Sequence, residues 1–375
     1  MKNSQESSIR MAEAELGEKV PIIKIAFLDV GQADTIVISC PDTHEAAVVD
    51  CVDADAVLDY LKAEQITCLR GVVITHLHTD HYGGVSSLLD KHYLVPGLQE
   101  CEVVVFNEIL DKRNLDKLMI DSDKHGGGTK RSLCTFLRNL REWCKQGERE
   151  QGRSKCANLK VERRSLPIDG TLAQCFQLLH PHLSDFLRLE NEGLNNTSGV
   201  LRIAGQGSSA LLTGDLEPKG WQQLKENHSD LRCDVLKFPH HGGAWKEADA
   251  EDLLNSISPS VVVISVGSEG DKKYGHPNPD VFAALSKRPH IRVLCTQATD
   301  QCRISVLGEQ ASIVDKFKVY ATKKGHQLIL SKHGCPCAGT VIIELGDEVH
   351  VLQPEVQFHR ETIIEPHFKT HKCNI

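Results

Sequence analysis

Residues 74–84 read ITHLHTDHYGG, and three histidines and an aspartate fall within the six positions from His76 to His81, directly behind the apolar run LRGVV. Several imidazoles and a carboxylate at one turn need many hydrogen-bond partners or solvent, whereas divalent ions satisfy all of them together. His76 and His78 alternate, so on a persisting strand they point the same way, while Asp80 and His81 turn into a loop that Gly83 and Gly84 let reverse. Two nitrogen ligands and a separate Asp/His pair suit two adjacent ions, with a helix starting at VSSLL behind them.

Upstream of the cluster, IIKIAFLDV (22–30), DTIVIS (34–39) and AAVVDC (46–51) are short β-branched runs that read as a meander. Val57, Leu58 and Leu61 recur at helical spacing behind Asp53, a candidate N-cap. Strand, helix, strand therefore places the histidines at a strand's C-terminal end, where open α/β sheets build ligand sites because side chains there are not consumed by the core. Downstream, EVVVFN (102–107), CFQLLHP (175–181), SGVLRIAG (198–205), SALLTGD (209–215), CDVLKFPHH (233–241) and PSVVVISVG (259–267) read as further strands, with helical stretches such as EPKGWQQLKEN (217–227) between some of them. Strands on both sides of the chain midpoint, each with polar residues at its end, suggest two sheets packed face to face with helices outside.

A chain of 375 residues, 40% of them hydrophobic, holds one large α/β domain or two ordinary ones. Its formal charge of −8 gives no global signature of a polyanion binder, but the mean conceals a local patch. Lys124 to Arg164 holds twelve Lys or Arg against four Glu, a net of +8, which leaves −16 on the remaining residues. Within it Leu133, Leu137, Leu140 and Cys144 form one helical stripe, with Cys134, Arg138, Arg141 and Lys145 on an adjacent face. Such an arm is either a solvated basic face or a phosphate-tracking surface beside the histidines. The polar N-terminus has no signal-peptide core and no stretch approaches eighteen uncharged apolar residues, so the expectation is a soluble, cytoplasmic chain with no membrane partner.

The pattern H-x-H-x-D-H resembles the signature of the metallo-β-lactamase superfamily. The stretches FLDVGQADTIVI, VVD, ITHLHTDHYGG, NNTSGVL, LLTGD, LKFPHHGG, VVVISVG and YGHPNPDVFAAL, in that order, resemble the hydrolase domain of ComEC-type competence (DNA-uptake) proteins. The resemblance implies an α/β fold, the αββα metallo-β-lactamase sandwich, here with a helical basic insert at about 107–165 and a C-terminal β-rich extension. On this reading 1–20 is a disordered tail, 21–305 the hydrolase domain and 306–375 the extension. It also implies roles position by position. Asp215 corresponds to the aspartate that bridges two metals, although an Asp ahead of LEPKG also suits a helix N-cap. His240 and His241 correspond to paired histidines that divide metal binding, phosphate positioning and proton donation between them, and His276 to a last ligand. Asp50 would orient a ligand histidine. Where many superfamily members supply a third histidine, this chain has Asn195, Asn196 and Ser198, and an amide ligand there would favour manganese over zinc. His180 could compensate, or simply bond to backbone.

The expected metal set is thus His76, His78, Asp80, His81, Asp215, His240 and His276, holding two divalent ions, Zn or Mn. A pair of ions can activate a hydroxide and stabilise charge on both the attacked centre and the leaving oxygen, which makes the reaction a hydrolysis. Asp80 and His241 are the candidate catalytic residues, and Asp50, Asn196, Ser198 and Lys237 the candidates for supporting the ligands or holding a scissile phosphate. With the basic insert, a phosphodiesterase or nuclease with nucleic acid as substrate is the leading expectation. Alternatives are hydrolysis of a small ester, lactone or phosphocholine-like group, or a non-catalytic regulatory or binding module. Near the C-terminus Cys295, Cys302, Cys335 and Cys337 form two close pairs that would suit a structural zinc ion, and GTVIIEL and DEVHVLQ suggest a hairpin that docks on the main domain or recruits a protein partner.

Overall fold

The structure, a computed structural model, describes residues 20–91, 98, 103–106, 133, 135–139, 142, 154–156, 170–181, 193–268, 275–299, 303–304, 337–354 and 368–370. The N-terminal tail, most of the basic insert, Cys302 and Cys335 lie outside the described residues.

Period-2 burial organises everything else. The first strands, β1 (Ile23–Phe27), β2 (Ile36–Cys40) and β3 (Glu45–Val49), form the antiparallel meander expected from the sequence, and β4 (Cys68–Val73) then joins β3 in parallel through helix α1 (Ala54–Ala63). Asp53 caps α1, its carboxylate accepting from the backbone N–H groups of Asp55 and Ala56. After β4 come one helical turn, α2 (Thr79–Tyr82), and α3 (Val85–Lys91), followed by β5 (Val103–Phe106) and β6 (Ser154–Cys156). The second half supplies β7 (Phe176–His180), β8 (Val200–Ala204), β9 (Ser209–Leu212), α4 (Pro218–Asn227), β10 (Val235–Lys237), α5 (Glu247–Ile257), β11 (Val261–Ile264), α6 (Pro279–Ser286) and β12 (Arg292–Cys295). Last come β13 (Arg303–Ile304), β14 (Val341–Leu345), β15 (Val349–Gln353) and β16 (Phe368–Thr370).

Two sheets result: an eight-stranded one ordered β15-β14-β1-β2-β3-β4-β5-β6, and a six-stranded one ordered β12-β11-β10-β9-β8-β7, with β13 and β16 paired separately. Alternate residues of each strand enter different cores. Ile25 and Phe27 of the first sheet meet Leu201, Leu212, Val235 and Val263 of the second in a shared apolar layer. Ala26, Val37, Val48 and Val72 face the other way, onto Val57 and Leu61 of α1 and Val85 and Leu88 of α3. Leu211, Leu236, Val262 and Val293 turn outward onto Trp221 of α4, Leu253 of α5 and Phe282 of α6. The order is helix, sheet, sheet, helix: an αββα sandwich, as the resemblance implied.

The hairpin read near the C-terminus docks on the sandwich, since β14 pairs antiparallel with β1 over Val341–Leu345 and β15 extends the same sheet. Of the basic insert, residues 135–139 are helical, and Phe136 and Leu137 are buried in the first helical layer, with the Phe136 ring 4.5 Å from that of Tyr82. Arg138 is exposed, so this piece of the arm puts its apolar side down and its charge outward. No helix among the described residues is long and apolar enough to cross a membrane.

Candidate metal centre

The loops that leave β3, β4, β9, β10 and β11, together with the turn between β1 and β2, meet at one end of the two sheets, and each delivers polar side chains that the apolar layers cannot use. The residue after β3, Asp50, takes the left-handed conformation (φ 55°). That aims its carboxylate back into the fold, where Oδ1 accepts from the backbone N–H of Thr75 at 2.7 Å and Oδ2 from the Thr75 hydroxyl at 2.7 Å. The same carboxylate lies 2.7 Å from His81 Nδ1. A carboxylate at Nδ1 favours the proton there and leaves Nε2 on the opposite side of the ring.

The strand before the cluster ends at Val73, so His76 and His78 are not strand neighbours as alternation supposed. They nevertheless lie side by side, with His76 Nε2 3.0 Å from His78 Nδ1 and ring centroids 4.7 Å apart, because the chain bends into α2 immediately after them. His76 Nδ1 is 3.3 Å from the Ser198 hydroxyl, which in turn accepts from the Asp215 backbone N–H at 3.1 Å. One serine thereby ties the second sheet's aspartate to the first sheet's histidine. Burial and the neighbouring His81 hold His76 well below the ordinary histidine range, so its ring is neutral and able to act as a ligand.

Asp215 is the centre of the arrangement. Its Oδ2 lies 3.3 Å from His81 Nε2, 3.6 Å from His241 Nε2 and 3.9 Å from His240 Nε2. Burial would raise its carboxyl, but His241, His81 and Lys237 outweigh burial and hold it well below the usual carboxylate range. Asp215 is not a helix cap: α4 begins at Pro218, and the N-cap position belongs to Glu217. Gly214 before it is required twice over. Its φ is +51°, and a Cβ there would sit 3.0 Å from the Cβ atoms of both Ser198 and Thr75.

The paired histidines owe their directions to the backbone. His240 (φ 50°, ψ 42°) and His241 (φ 52°, ψ 24°) are both left-handed, a conformation that costs non-glycine residues of order 1–3 kcal/mol each and that the surroundings must enforce. Successive left-handed residues fan the two rings apart, to centroids 6.4 Å from each other. His241 is buried, with Nδ1 2.8 Å from the Ser265 carbonyl, so Nδ1 carries the proton and Nε2 faces Asp215 and, at 4.0 Å, Asp80. His240 keeps partial exposure, with Nδ1 3.4 Å from Glu217 Oε1. His276 approaches from the loop after β11, its ring 5.0 Å from that of His240 and its Nδ1 3.4 Å from Gln32 Nε2. Burial, then His240 and His241, push His276 down to about 4. Gly243 accommodates it, since a Cβ there would come within 2.1 Å of His276 Nε2.

Lys237 corrects one expectation. It lies on β10, in the interior of the sheet between β9 and β11, and is fully buried, so it is not open to a phosphate in solvent. Its ammonium donates to the Gly214 carbonyl at 2.7 Å, pairs with Asp34 and lies 3.5 Å from Asp215 Oδ1. Burial works against that charge, but Asp34 and Asp215 keep the ammonium above the ordinary lysine range. Asn196 is likewise occupied: its Oδ1 accepts from the Gly220 N–H at 2.9 Å and its Nδ2 lies 3.3 Å from Glu217 Oε2. His180 Nε2 is 2.9 Å from the Asn196 carbonyl, the backbone bond rather than a place in the cluster.

The family model of the metallo-β-lactamase superfamily matches residues 28–107, the segment that carries Asp50 and the whole run from Thr75 to His81. Over that segment the chain is similar to the metallo-β-lactamase superfamily. ComE operon protein 3 of Bacillus subtilis (strain 168) is 25% identical to it over 292 residues, 73% of this chain and 32% of that protein. Competence protein ComA of Neisseria gonorrhoeae is 30% identical over 219 residues, 56% of this chain and 28% of that protein. The chain therefore spans about a third of the length of these curated relatives. Among solved structures, the metallo-β-lactamase fold protein YhfI from Bacillus subtilis aligns with a TM-score of 0.38 at 13% identity, over 65% of this chain and 85% of that one.

The atoms of the cluster themselves decide whether it suits divalent cations. His81 Nε2 and His241 Nε2 are buried and have no hydrogen-bond partner among the described residues, although both face the same buried carboxylate. Buried polar atoms left unsatisfied in this way are costly, and a cation between imidazole nitrogens and a carboxylate satisfies them at once. Asp34, His81, Asp215 and His241 each offer a ligand atom within 4.8 Å of the others. The residues fit the group.

Asp34, Glu217, Thr75 and Gln32 escaped the sequence reading. A signal existed for Asp34: it is a charged residue between a glycine turn and a mostly apolar strand, and it is completely buried. Burial would raise its carboxyl, but Lys237, His241 and His81 hold it below its ordinary value. Cys295 and Cys337, half of the suggested zinc site, are buried neighbours through the backbone, with Ala338 N–H donating to the Cys295 carbonyl at 2.9 Å.

Proposed function

We propose that this chain is a phosphodiesterase acting on nucleic acid, with two divalent cations, Zn or Mn, held by the residues gathered around Asp215. The observation that carries the reading is the approach of three imidazole Nε2 atoms, from His81, His240 and His241, to within 3.9 Å of one buried oxygen of Asp215. The His76 ring lies beside those of His78 and His81, at centroid distances of 4.7 and 4.1 Å, His241 Nε2 faces both Asp215 and Asp80, and His276 lies beside His240. Cations bound there supply Lewis-acid polarisation and a nucleophile at neutral pH. The chain's own part is orientation. Asp50 and the Ser265 carbonyl fix which nitrogen of His81 and His241 faces inward. Lys237 balances the charge of Asp34 and Asp215 and does not touch substrate. Asp80, with a side chain 43% exposed, and the partly exposed His240 stand at the open side, where a scissile phosphate would enter.

Two things support nucleic acid over a small ester: the competence-type relatives, and the +8 of residues 124–164 in an otherwise acidic chain. The test incubates Mn- or Zn-reconstituted protein with single- and double-stranded DNA and RNA beside generic ester substrates, with Asp80→Ala as control. Cleavage of nucleic acid that fades steeply with salt and is absent in the control is expected. Turnover of neutral esters alone, insensitive to salt, would overturn the nucleic-acid assignment, and cleavage retained by Asp80→Ala would implicate a contaminant.

A further inference from the structure

The segment LNNT (194–197) stands where the resemblance leads one to expect a third histidine, yet its amides are not turned toward the imidazole cluster. Asn195 Nδ2 donates to Glu217 Oε1 at 2.9 Å, and Asn196 Nδ2 lies 3.3 Å from Glu217 Oε2, so the two amides grip both oxygens of one carboxylate. Glu217 occupies the N-cap position of α4 without capping it: its side chain makes no cap hydrogen bond. That duty has passed to Asn196, whose Oδ1 accepts from the Gly220 N–H in the first turn of α4 at 2.9 Å. The helix start is served from another segment, and the Glu217 carboxylate is released to face His240 Nδ1 at 3.4 Å.

A carboxylate beside Nδ1 favours the tautomer with its proton on that nitrogen and leaves the Nε2 lone pair on the opposite side of the ring. That side faces Asp215 Oδ2 at 3.9 Å, and Asn195 Nδ2, a donor, stands 3.5 Å from the same Nε2, consistent with a lone pair there. His241 obtains the equivalent orientation from the Ser265 carbonyl, and His81 from Asp50. His240 is left-handed and partly exposed, so its ring depends on a polar partner to fix which way it is flipped. We propose that Glu217, clamped by Asn195 and Asn196, is the positioning residue that makes His240 a metal ligand, so that His240 supplies the imidazole the LNNT segment lacks. This rests on the proposed metal centre, and it assigns the asparagines to orientation of a ligand in place of ligation.

The test measures Mn²⁺ and Zn²⁺ affinity of the 375-residue chain by competition with a chromophoric chelator, for wild type, Glu217→Gln, His240→Ala and the double variant, alongside thermal melting of each metal-free protein. Glu217→Gln keeps the shape, but its single amide oxygen accepts from only one of the two asparagines, so its metal-free melting temperature should fall slightly, and affinities are compared at a temperature where that melt shows each variant folded. Its affinity for the more weakly held ion should fall about 10-fold, the scale expected when a carboxylate behind a ligand histidine is lost. In the His240→Ala background the same change should cost nothing further. Asn195→Ala, which loosens the clamp without touching the carboxylate, should weaken binding in the same direction by less. If Glu217→Gln binds both ions as wild type does while His240→Ala is weakened, the proposal is wrong and the metal centre stands. An equal loss in the His240→Ala background would mean that Glu217 acts only by its charge, which also overturns it. Wild-type affinity in His240→Ala would remove His240 from the ligand set, and the proposal with it.

Discussion

Replacing Lys237 by methionine removes the ammonium that two fully buried carboxylates share. That ammonium is 3.5 Å from Asp215 Oδ1 and closer still to Asp34. At an effective dielectric of 20, the 3.5 Å pair alone corresponds to about 5 kcal/mol of gross Coulomb attraction, before the cost of desolvating the charges is subtracted. That desolvation is already spent in the folded protein, so deleting one partner leaves Asp34 without its lysine, and the expected loss is about 3–5 kcal/mol. A typical domain has roughly 5–15 kcal/mol to lose, so urea unfolding of the metal-free protein should show a clear fall in midpoint. Methionine approximates the length of the lysine stem and leaves little cavity, so the loss reports charge. The double variant Asp34→Asn/Lys237→Met removes the carboxylate along with the amine and should recover most of the stability. A loss below about 1 kcal/mol in Lys237→Met, or a double variant no better than the single one, would refute the view that this lysine is a buried countercharge.

Other expectations concern the supports of the centre. Asp50→Asn should lower metal affinity by about 10–100-fold, seen by chelator competition, because His81 loses the group that fixes its tautomer. Thr75→Val removes a hydroxyl that donates to Asp50 Oδ2 at 2.7 Å and should cost about 1.5–3 kcal/mol in urea unfolding, the range for a hydrogen bond to a charged group. Gly243→Ala drives a Cβ to 2.1 Å from His276 Nε2 and should cost roughly 1–3 kcal/mol while displacing that histidine, which a shift of its imidazole resonances would report. For metal-free protein, burial lowers His81, but Asp215 and Asp50 prevail and raise it well above its ordinary value. A raised group contributes stability that is complete below its unfolded value of about 6.5 and is lost as the pH climbs through the folded one. Melting temperature of the metal-free chain should therefore drop as the pH is taken upward from neutrality.

The fold was legible because each strand carries its address in alternation. Ile25 and Phe27 against Ala26, or Val261 and Val263 against Val262, split between two cores as a two-residue period requires, and the helices between them follow the 3.6-residue period. The first histidine cluster was legible for a different reason: imidazoles crowded at a strand end are costly to bury unless a ligand or an ion satisfies them. What joined it to Asp215, His240 and His276 was resemblance, since nothing local to LLTGD or PHHGG says that β9 and β10 end beside β4. Glu217 was missed because a single carboxylate in a turn is indistinguishable from a solvated one until tertiary packing closes over it, and the signal for Asp34, its place directly before a buried strand, does not by itself say what it faces. Lys237 was read as available to a scissile phosphate for the same reason: only the pairing of β9 and β11 on either side of β10 shows that it is interior. The alternation of His76 and His78 failed as geometry because β4 stops at Val73, although the rings meet by another route.

The central claim is that cations sit among the Nε2 atoms of His81 and His241 and the carboxylate of Asp215. Crystals of the chain grown with Mn²⁺ and measured at the manganese absorption edge test it most directly. Anomalous peaks between these atoms, with Asp215 shared between two of them, are the result the account expects. Peaks elsewhere, or none at this position in a fully folded chain, would contradict it.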